Sequence, residues 1–207
     1  MIKKLFSRIV GFSFVISLLL SGVAFSAEGP YVSGNLGIGF PMDSDLSDSS
    51  GSLTVESDPG FALGVAAGYN FGMFRLEGEI GYQKNDLDKV SVGPVSVSAS
   101  GDVTNTYFLG NGYFDFINSS PFTPYVSAGI GFAKLKVNDF AVLGTRIGDS
   151  DDTVFAYQAG AGVGYAINKN FTIDLKYRYF ATENPNFDGL DGEYASHNIY
   201  LGLRYNF

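Results

Sequence analysis

The feature that most constrains this fold is an alternation of apolar and polar residues that recurs along the chain. In the stretch FTIDLKYRYF every second side chain is apolar, beginning with Phe171, Ile173 and Leu175. A period of two is typical of a β-strand with one face against an apolar medium. Each stretch reaches the ~9–11 residues that a tilted strand needs to cross a bilayer. The predicted strands are residues 31–40, 61–71, 74–83, 103–116, 122–135, 154–167, 171–181 and 196–207.

The connections between these strands alternate between long and short. The long ones, rich in Asp, Ser and Gly, are residues 41–60, 84–102, 136–153 and 182–195. The tight ones are residues 70–73, 117–121 and 168–170, which contain the turn formers Asn, Gly, Ser and Pro. This asymmetry is typical of outer-membrane barrels. We therefore predict an all-β fold, an eight-stranded antiparallel transmembrane β-barrel with long extracellular loops and short periplasmic turns.

The two faces of the predicted strands differ in composition. One face carries aliphatic residues with Phe and Tyr near the strand ends, which indicates a lipid-facing belt with aromatic girdles. The other face mixes polar side chains with glycines such as Gly64, Gly129 and Gly162. Small residues suit a narrow interior, because large side chains need space opposite them. The alternative is a soluble β-sandwich or a lipocalin-like barrel, which would turn the apolar face inward.

The end of the sequence, HNIYLGLRYNF, keeps alternating up to its final residue. Terminal residues of soluble proteins usually fray, so this pattern needs a structural reason. We predict that the last strand pairs with the first, because closure removes sheet edges that lipid cannot satisfy. Phe207 is then expected at the periplasmic boundary of the membrane. We also predict that Tyr205 and Phe207 form a C-terminal assembly signal for the barrel-assembly machinery, with periplasmic chaperones as further partners.

The first 27 residues have the organisation of a secretory signal peptide. Three basic residues open the segment, an apolar stretch follows over residues 9–20, and small residues precede Glu28. Ala24 and Ser26 fit a small-x-small cleavage site, which predicts a cut after residue 26 or 27. The alternative is an uncleaved anchor, but the apolar stretch is shorter than the ~20 residues that a spanning helix needs.

Removal of residues 1–27 is expected to leave one domain, residues 28–207. It takes three of the 13 basic residues and none of the 21 acidic ones, so ten cations face 21 anions at a net charge of −11. Such a chain is a poor partner for nucleic acid, which requires clustered cations. The chain has no cysteine, which excludes a disulfide scaffold and thiolate chemistry.

The polar face carries four acids and four bases whose charges cancel. They are Arg75, Glu77, Glu79, Asp115, Asp174, Lys176, Arg178 and Arg204. A charge in a narrow interior is costly unless it is paired, and arginine meets carboxylates with forked hydrogen bonds. An eight-stranded barrel is just wide enough for its own side chains, so we predict a charge-paired network that fills the lumen. A tight or gated ion path is the alternative, because paired groups can exchange partners.

Residues with catalytic or metal-binding potential are few. Glu77 and Glu79 resemble the paired carboxylates of acid–base catalysis, but four nearby bases favour a structural ion network. His197 is the only histidine, and its neighbour Ser196 points to the opposite face, so it is predicted to be an ordinary rim residue. Residues 43–48 partly match a calcium loop but lack the required Gly and Glu. We predict no catalytic residue, no cofactor and no metal site.

Four motifs carry a resemblance to a known family. They are GNGYFDF, TPYVSAGIGFA, FTIDLKYRYF and the terminal GLRYNF. Together they resemble the eight-stranded outer-membrane barrels of the OmpA-like and opacity-protein type, over residues 28–207. The resemblance implies envelope structure, adhesion to host cells or immune recognition, and it brings no shared catalytic residues. OmpA itself adds a peptidoglycan-binding domain, and a chain that stops at Phe207 is expected not to anchor the cell wall in that way.

These observations favour one function and leave two alternatives. The favoured function is a monomeric barrel in the Gram-negative outer membrane that acts as an envelope scaffold. It presents mobile loops as a surface antigen or adhesin-like module, because binding residues concentrate on loops. The expected partners are outer-membrane lipid, lipopolysaccharide and a host or surface ligand at the loops. The alternatives are a small-conductance or gated porin-like channel and an outer-membrane enzyme that acts on lipid or peptide, for which His197→Ala would test a histidine-dependent mechanism.

Overall fold

The computed structural model describes residues 28–48, 51–92, 95–142, 145–187, 190–191 and 193–207. The predicted signal peptide, residues 1–27, lies outside the described residues. The strands, numbered in chain order, are β1 (Gly29–Pro41), β2 (Ser44–Asp48), β3 (Gly51–Ser57), β4 (Gly60–Asn70), β5 (Phe74–Val92), β6 (Val95–Asp115), β7 (Phe122–Val142), β8 (Thr145–Ala166), β9 (Phe171–Thr182), β10 (Asn186–Phe187), β11 (Leu190–Asp191) and β12 (Ala195–Asn206). Across these ranges we find no helix with the length and apolarity to cross a membrane.

Eight of the strands close into an antiparallel barrel, which confirms the predicted fold. The order around the barrel is β1, β4, β5, β6, β7, β8, β9 and β12, and β12 pairs again with β1. At the closing seam Val32 lies opposite Tyr205, and the backbone N–H of Phe207 donates to the Pro30 carbonyl at 3.1 Å. The terminal residues are therefore held by pairing, as their alternation predicted.

The outer face of the barrel is apolar over a continuous belt. Leu36, Ile130 and Phe132 are 70%, 62% and 61% exposed, although they are among the most hydrophobic side chains of the chain. A water-soluble protein rarely exposes a contiguous apolar surface of this kind. The belt therefore faces lipid, and the alternative with an inward apolar face is wrong.

The short turns lie at the end of the barrel that carries both termini of the described chain. Each turn is organised by an asparagine whose side-chain oxygen accepts backbone N–H groups. Asn70 accepts from Gly72 at 2.9 Å, Asn118 from Ser120 at 2.8 Å, and Asn168 from Asn170 at 2.9 Å. Asparagine favours such side-chain turns, as the sequence predicted.

The opposite end of the barrel differs from the prediction. Residues 84–102 and 136–153, predicted as loops, are mostly strand, because β5–β6 and β7–β8 pair almost to their tips. The predicted boundaries followed the apolar belt, but backbone pairing does not require an apolar face. Valine alternates with serine over residues 90–92 and 95–98, and valine favours strand pairing where the belt has ended. The loop over residues 41–60 also contains β2 and β3, and residues 182–195 contain β10 and β11.

The barrel wall consequently has unequal height. β9 ends at Thr182 and β1 at Pro41, whereas β5 and β7 continue to Val92 and Val142. We call the four strands β5, β6, β7 and β8 the tall wall. It extends above the lipid-facing belt as a continuous antiparallel sheet, to whose edge β3 adds a further strand. The extracellular surface of the protein is thus built largely on strands.

Candidate functional site in the barrel lumen

The structure places all eight charged residues of the predicted network inside the barrel. Each is nearly inaccessible, and Glu79 and Arg178 are 0% and 1% exposed. Their positions follow from strand alternation, since every second residue of β5 and β9 points inward. β5 and β9 stand four strands apart among the eight, so their inward side chains meet across the diameter of the lumen.

The central contact of the lumen is the pair Arg178 and Glu79. The guanidinium Nη2 donates to Glu79 Oε2 at 2.6 Å, and Nη1 donates to Oε1 at 3.1 Å. Asn111 donates to Glu79 Oε2 at 2.8 Å, and the Tyr107 hydroxyl accepts from Arg178 at 3.1 Å. Forked pairs of this kind are among the strong interactions of buried charges. The pair ties β9 to β5 across the middle of the barrel.

Lys176 and Glu77 meet through an intermediate side chain. The Lys176 ammonium donates to the Tyr113 hydroxyl at 3.2 Å, and that hydroxyl donates to Glu77 Oε1 at 2.5 Å. Tyr31 donates to the other oxygen of Glu77 at 2.9 Å. Asn111 also donates to Glu77 Oε1, at 3.3 Å. Two tyrosine hydroxyls and one amide therefore donate hydrogen bonds to this carboxylate.

The periplasmic end of the lumen holds two more ion pairs. Arg75 donates to both oxygens of Asp115, at 2.7 and 2.9 Å, and its guanidinium lies 4.2 Å from the Tyr113 ring centroid. Arg204 and Asp174 form a looser pair at 3.4 Å. These contacts join β5 to β6 and β12 to β9, so a charged layer fills the section next to the short turns.

The extracellular half of the lumen is filled differently, and the sequence reasoning missed this. An apolar cluster packs inside the barrel above the Arg178–Glu79 pair. Its buried members are Tyr107, Leu109, Ala133, Leu135, Ala156, Phe180 and Tyr194. Beside it, Gln83 donates to Asn85 at 2.8 Å, and Asn85 donates to the Asp58 carbonyl at 2.9 Å. Along the barrel axis, charge pairs therefore fill the periplasmic and middle sections of the lumen, and apolar side chains with neighbouring amides fill the extracellular section.

Buried tyrosines are the second feature that the sequence reasoning missed. They are Tyr31, Tyr107, Tyr113, Tyr125, Tyr194 and Tyr200. Strand parity would have found those that lie in strands, because Tyr113 shares its face with Asn111 and Asp115. Inward glycines make room for the rings. A Cβ at Gly81 would overlap the ring of Tyr107, and one at Gly162 would reach Tyr125 at 2.5 Å. Tyr107 and Tyr125 therefore lie opposite glycines on neighbouring strands, which makes room for their rings in the narrow section.

The arrangement of the lumen charges is suited to holding the strands of the barrel together rather than to catalysis. Both oxygens of Glu79 are occupied by donors, and the residue has no access to solvent. His197 points away from the lumen, where its Nδ1 lies 2.7 Å from the Tyr177 hydroxyl. Among the side chains that the structure describes, no group of three His, Asp or Glu is placed to hold a metal ion. Most side chains of the calcium-like stretch, residues 43–48, lie outside the described set.

Comparisons with known proteins agree with this architecture. The family model described as outer membrane protein beta-barrel domain matches residues 12–207. Outer membrane protein PagN of Salmonella typhimurium is 30% identical over 90% of this chain and 93% of its own. A putative adhesin of Rickettsia bellii is 30% identical over 56% of this chain and 59% of its own.

A solved structure shares the fold. The crystal structure of Neisserial surface protein A is 23% identical and covers 90% of this chain and 100% of that chain, with a TM-score of 0.57. At this identity the likeness concerns architecture alone. The family match spans nearly the whole chain, and the barrel geometry agrees with it. The chain therefore belongs to the outer membrane β-barrel domain family and is a protein of the Gram-negative outer membrane.

Proposed function

We propose that this protein is a non-enzymatic scaffold whose extracellular hairpins form an antigenic, adhesin-like recognition surface. The observation that carries the proposal is the contrast between the two parts of the barrel. The lumen is filled with paired charges and packed rings, whereas the tall wall projects a four-stranded sheet beyond the membrane. A filled lumen leaves recognition, rather than passage, to the extracellular end.

The filling of the lumen supports the scaffold role. An ion moving along the axis would have to displace the Arg178–Glu79 pair and then the apolar cluster around Phe180. Breaking one member of a buried pair costs several kcal/mol, and an apolar constriction resists water. These obstacles lie in series, which argues against the alternative of a gated channel.

The tall wall supports the recognition role. Binding residues concentrate on exposed connections that a rigid scaffold positions, and here the scaffold itself rises above the membrane. The hairpins β5–β6 and β7–β8 stand side by side, joined by pairing between β6 and β7. A relative named as a putative adhesin agrees with such a surface. We infer that a host or surface ligand binds to the tips of these two hairpins.

Shortening the hairpins tests the recognition role. Residues 90–97 would be replaced by Asn-Gly, which leaves the paired Lys89 and Ser98 as the flanks of a two-residue turn. Residues 138–149 would be replaced in the same way between the paired Val137 and Ser150. Non-adherent Gram-negative cells that express the wild-type protein should adhere to cultured epithelial cells. We expect the doubly shortened variant to lose most of the adhesion above empty-vector cells, because binding residues concentrate on the exposed connections that are removed.

The control for this experiment is a change inside the lumen. Arg178→Met with Glu79→Gln alters the network but leaves the hairpins intact, so adhesion per folded molecule should match the wild type. Heat-modifiable migration on gels would confirm that each variant is folded in the membrane. Adhesion that persists after both hairpins are shortened would show that the tall wall is not the recognition surface.

A further inference from the structure

The cations of the described chain are distributed unevenly. Four of them lie in the lumen, and Lys169 lies in a periplasmic turn. The other five are Lys84, Lys89, Lys134, Lys136 and Arg146, and all of them belong to the tall wall. The same strands also carry acids such as Asp86, Asp102 and Asp151, so the position of the lysines relative to these acids decides what this side of the barrel can bind.

Strand register arranges the outward side chains of the tall wall in rows. From the membrane outward, the rows are Ile80–Phe108–Phe132–Phe155, then Tyr82–Thr106–Lys134–Thr153, then Lys84–Thr104–Lys136–Asp151. We call the upper two the cationic rows. Three ammonium groups, several hydroxyls and the Asp151 carboxylate thus lie above a row of three phenylalanine rings and Ile80.

The height of the cationic rows corresponds to the headgroup region of the outer leaflet. Aromatic side chains mark the boundary between hydrocarbon and headgroups, and Phe108 and Phe132 are 58% and 61% exposed on the belt. Each cationic row stands about 6.5 Å further along the strands than the row beneath it. Lys134 and Lys136 therefore reach the level at which lipid phosphates lie.

Two of the lysines are held in place by carboxylates. Lys84 donates to Asp102 at 3.0 Å, and Lys134 pairs with Asp151 at 2.8 Å. Asn138 donates to the other oxygen of Asp102 at 2.8 Å. An ammonium group has three donors, so each lysine keeps donors for a further anion.

The protonation states fit an anion site at neutral pH. The hydrogen bond to Asp102 raises the pKa of Lys84, and the hydrogen bond from Lys134 lowers the pKa of Asp151. Both pairs are therefore ionised. Lys136 is exposed and takes part in none of the salt bridges shown between described side chains, although its charge contributes, after that of Lys134, to lowering the pKa of Asp151.

The low side of the barrel lacks this arrangement. At its extracellular rim, register aligns Tyr179 of β9, His197 of β12 and Phe40 of β1. Rings occupy the positions that lysines occupy on the tall wall. The cationic rows are thus a local feature rather than a collar around the barrel.

We propose that the cationic rows seat the phosphorylated headgroup of an outer-leaflet glycolipid. Ammonium groups donate charge-assisted hydrogen bonds to phosphate, and clustered basic residues at a membrane surface bind anionic headgroups. Lys84 and Lys136 stand two strands apart, about 10 Å, which spans more than one phosphate. That separation suits a disaccharide with a phosphate at each end better than a phospholipid with one. The acyl chains then lie along the aromatic row and the apolar belt below it.

The test uses bisphosphorylated lipid A and the full-length mature protein in neutral detergent, with bound lipid counted by native mass spectrometry. The variant Lys84→Gln with Lys134→Gln and Lys136→Gln removes the three cations. We expect its apparent affinity to fall about 100-fold, because each lysine near an anionic headgroup contributes about fivefold. Lys169→Gln removes one cation from the periplasmic end and should bind as the wild type does.

Two further measurements make the outcome decisive. Lys136→Gln, which breaks no ion pair among the described side chains, should fold normally and reduce affinity about fivefold. Unchanged lipid A binding by this variant and by the triple variant would overturn the proposal. Dioleoyl phosphatidylglycerol serves as the comparison lipid. If it binds as tightly as lipid A and its binding falls equally, the surface attracts anionic lipid in general and the glycolipid assignment is wrong.

Discussion

Replacing Arg178 with methionine is expected to destabilise the barrel by about 3–5 kcal/mol. The guanidinium is 1% exposed and holds Glu79 by two hydrogen bonds across the lumen. Its removal leaves the inaccessible Glu79 carboxylate with hydrogen bonds from Asn111 and Tyr107 but without its ion-pair partner, and a buried charge without a partner is costly. The measurement is the free energy of unfolding from urea titration of the refolded protein in lipid vesicles.

Two controls separate the buried charge from the loss of packing. Glu79→Gln added to Arg178→Met should recover most of the stability, because a neutral amide no longer requires a cation. Lys84→Met breaks a pair at the surface, where Lys84 is 37% exposed, and should leave the stability close to that of the wild type. A double variant as unstable as Arg178→Met alone would contradict the charge argument.

Replacing Gly81 with alanine is expected to cost about 1–3 kcal/mol, because it overfills the lumen. A Cβ at this position would overlap the ring of Tyr107, and the ring has little freedom to move. Its hydroxyl accepts from Arg178 at 3.1 Å, and its face packs against Phe180 with centroids 5.2 Å apart. The same urea titration measures the effect.

Gly78 provides the matched control on the same strand. Its Cβ would point outward and meet Phe108 at 4.0 Å, so Gly78→Ala should change stability by less than about 0.5 kcal/mol. Both glycines lie in β5, and neither has a positive φ. Equal losses at the two positions would mean that strand propensity, rather than the Tyr107 contact, decides the cost.

The closed barrel could be predicted from the sequence because every strand in lipid must alternate. The apolar residues of one face and the charges of the other share a strict period of two, so residues such as Glu79 and Arg178 were assigned inward. Their partners could not be predicted. Pairing across the diameter depends on the order of strands around the barrel and on the register between them. A residue list gives equal numbers of acids and bases but does not show that Lys176 meets Glu77 through Tyr113.

Aromatic residues were harder to interpret than charged ones. Phe and Tyr favour both the lipid boundary and a tightly packed interior, so their chemistry alone does not indicate a face. Tyr113 and Tyr125 lie inward because of their strand parity, and Gly162, opposite Tyr125, leaves room for that ring. The length of the tall wall was missed for another reason. Above the belt, serine and valine alternate without a lipid-facing surface. The β5–β6 and β7–β8 pairing there continues the pairing that the same strands already have inside the belt.

The most direct test of a closed lumen is the conductance of planar bilayers that contain the refolded mature protein. Folding would be confirmed first by heat-modifiable migration, with Arg75→Ala and Arg178→Ala as companion variants. A filled lumen predicts that wild-type protein produces no reproducible current steps. Wild-type steps whose size or ion selectivity shifts in Arg75→Ala or Arg178→Ala would contradict it, because they would show that ions pass through the network that is proposed to seal the barrel.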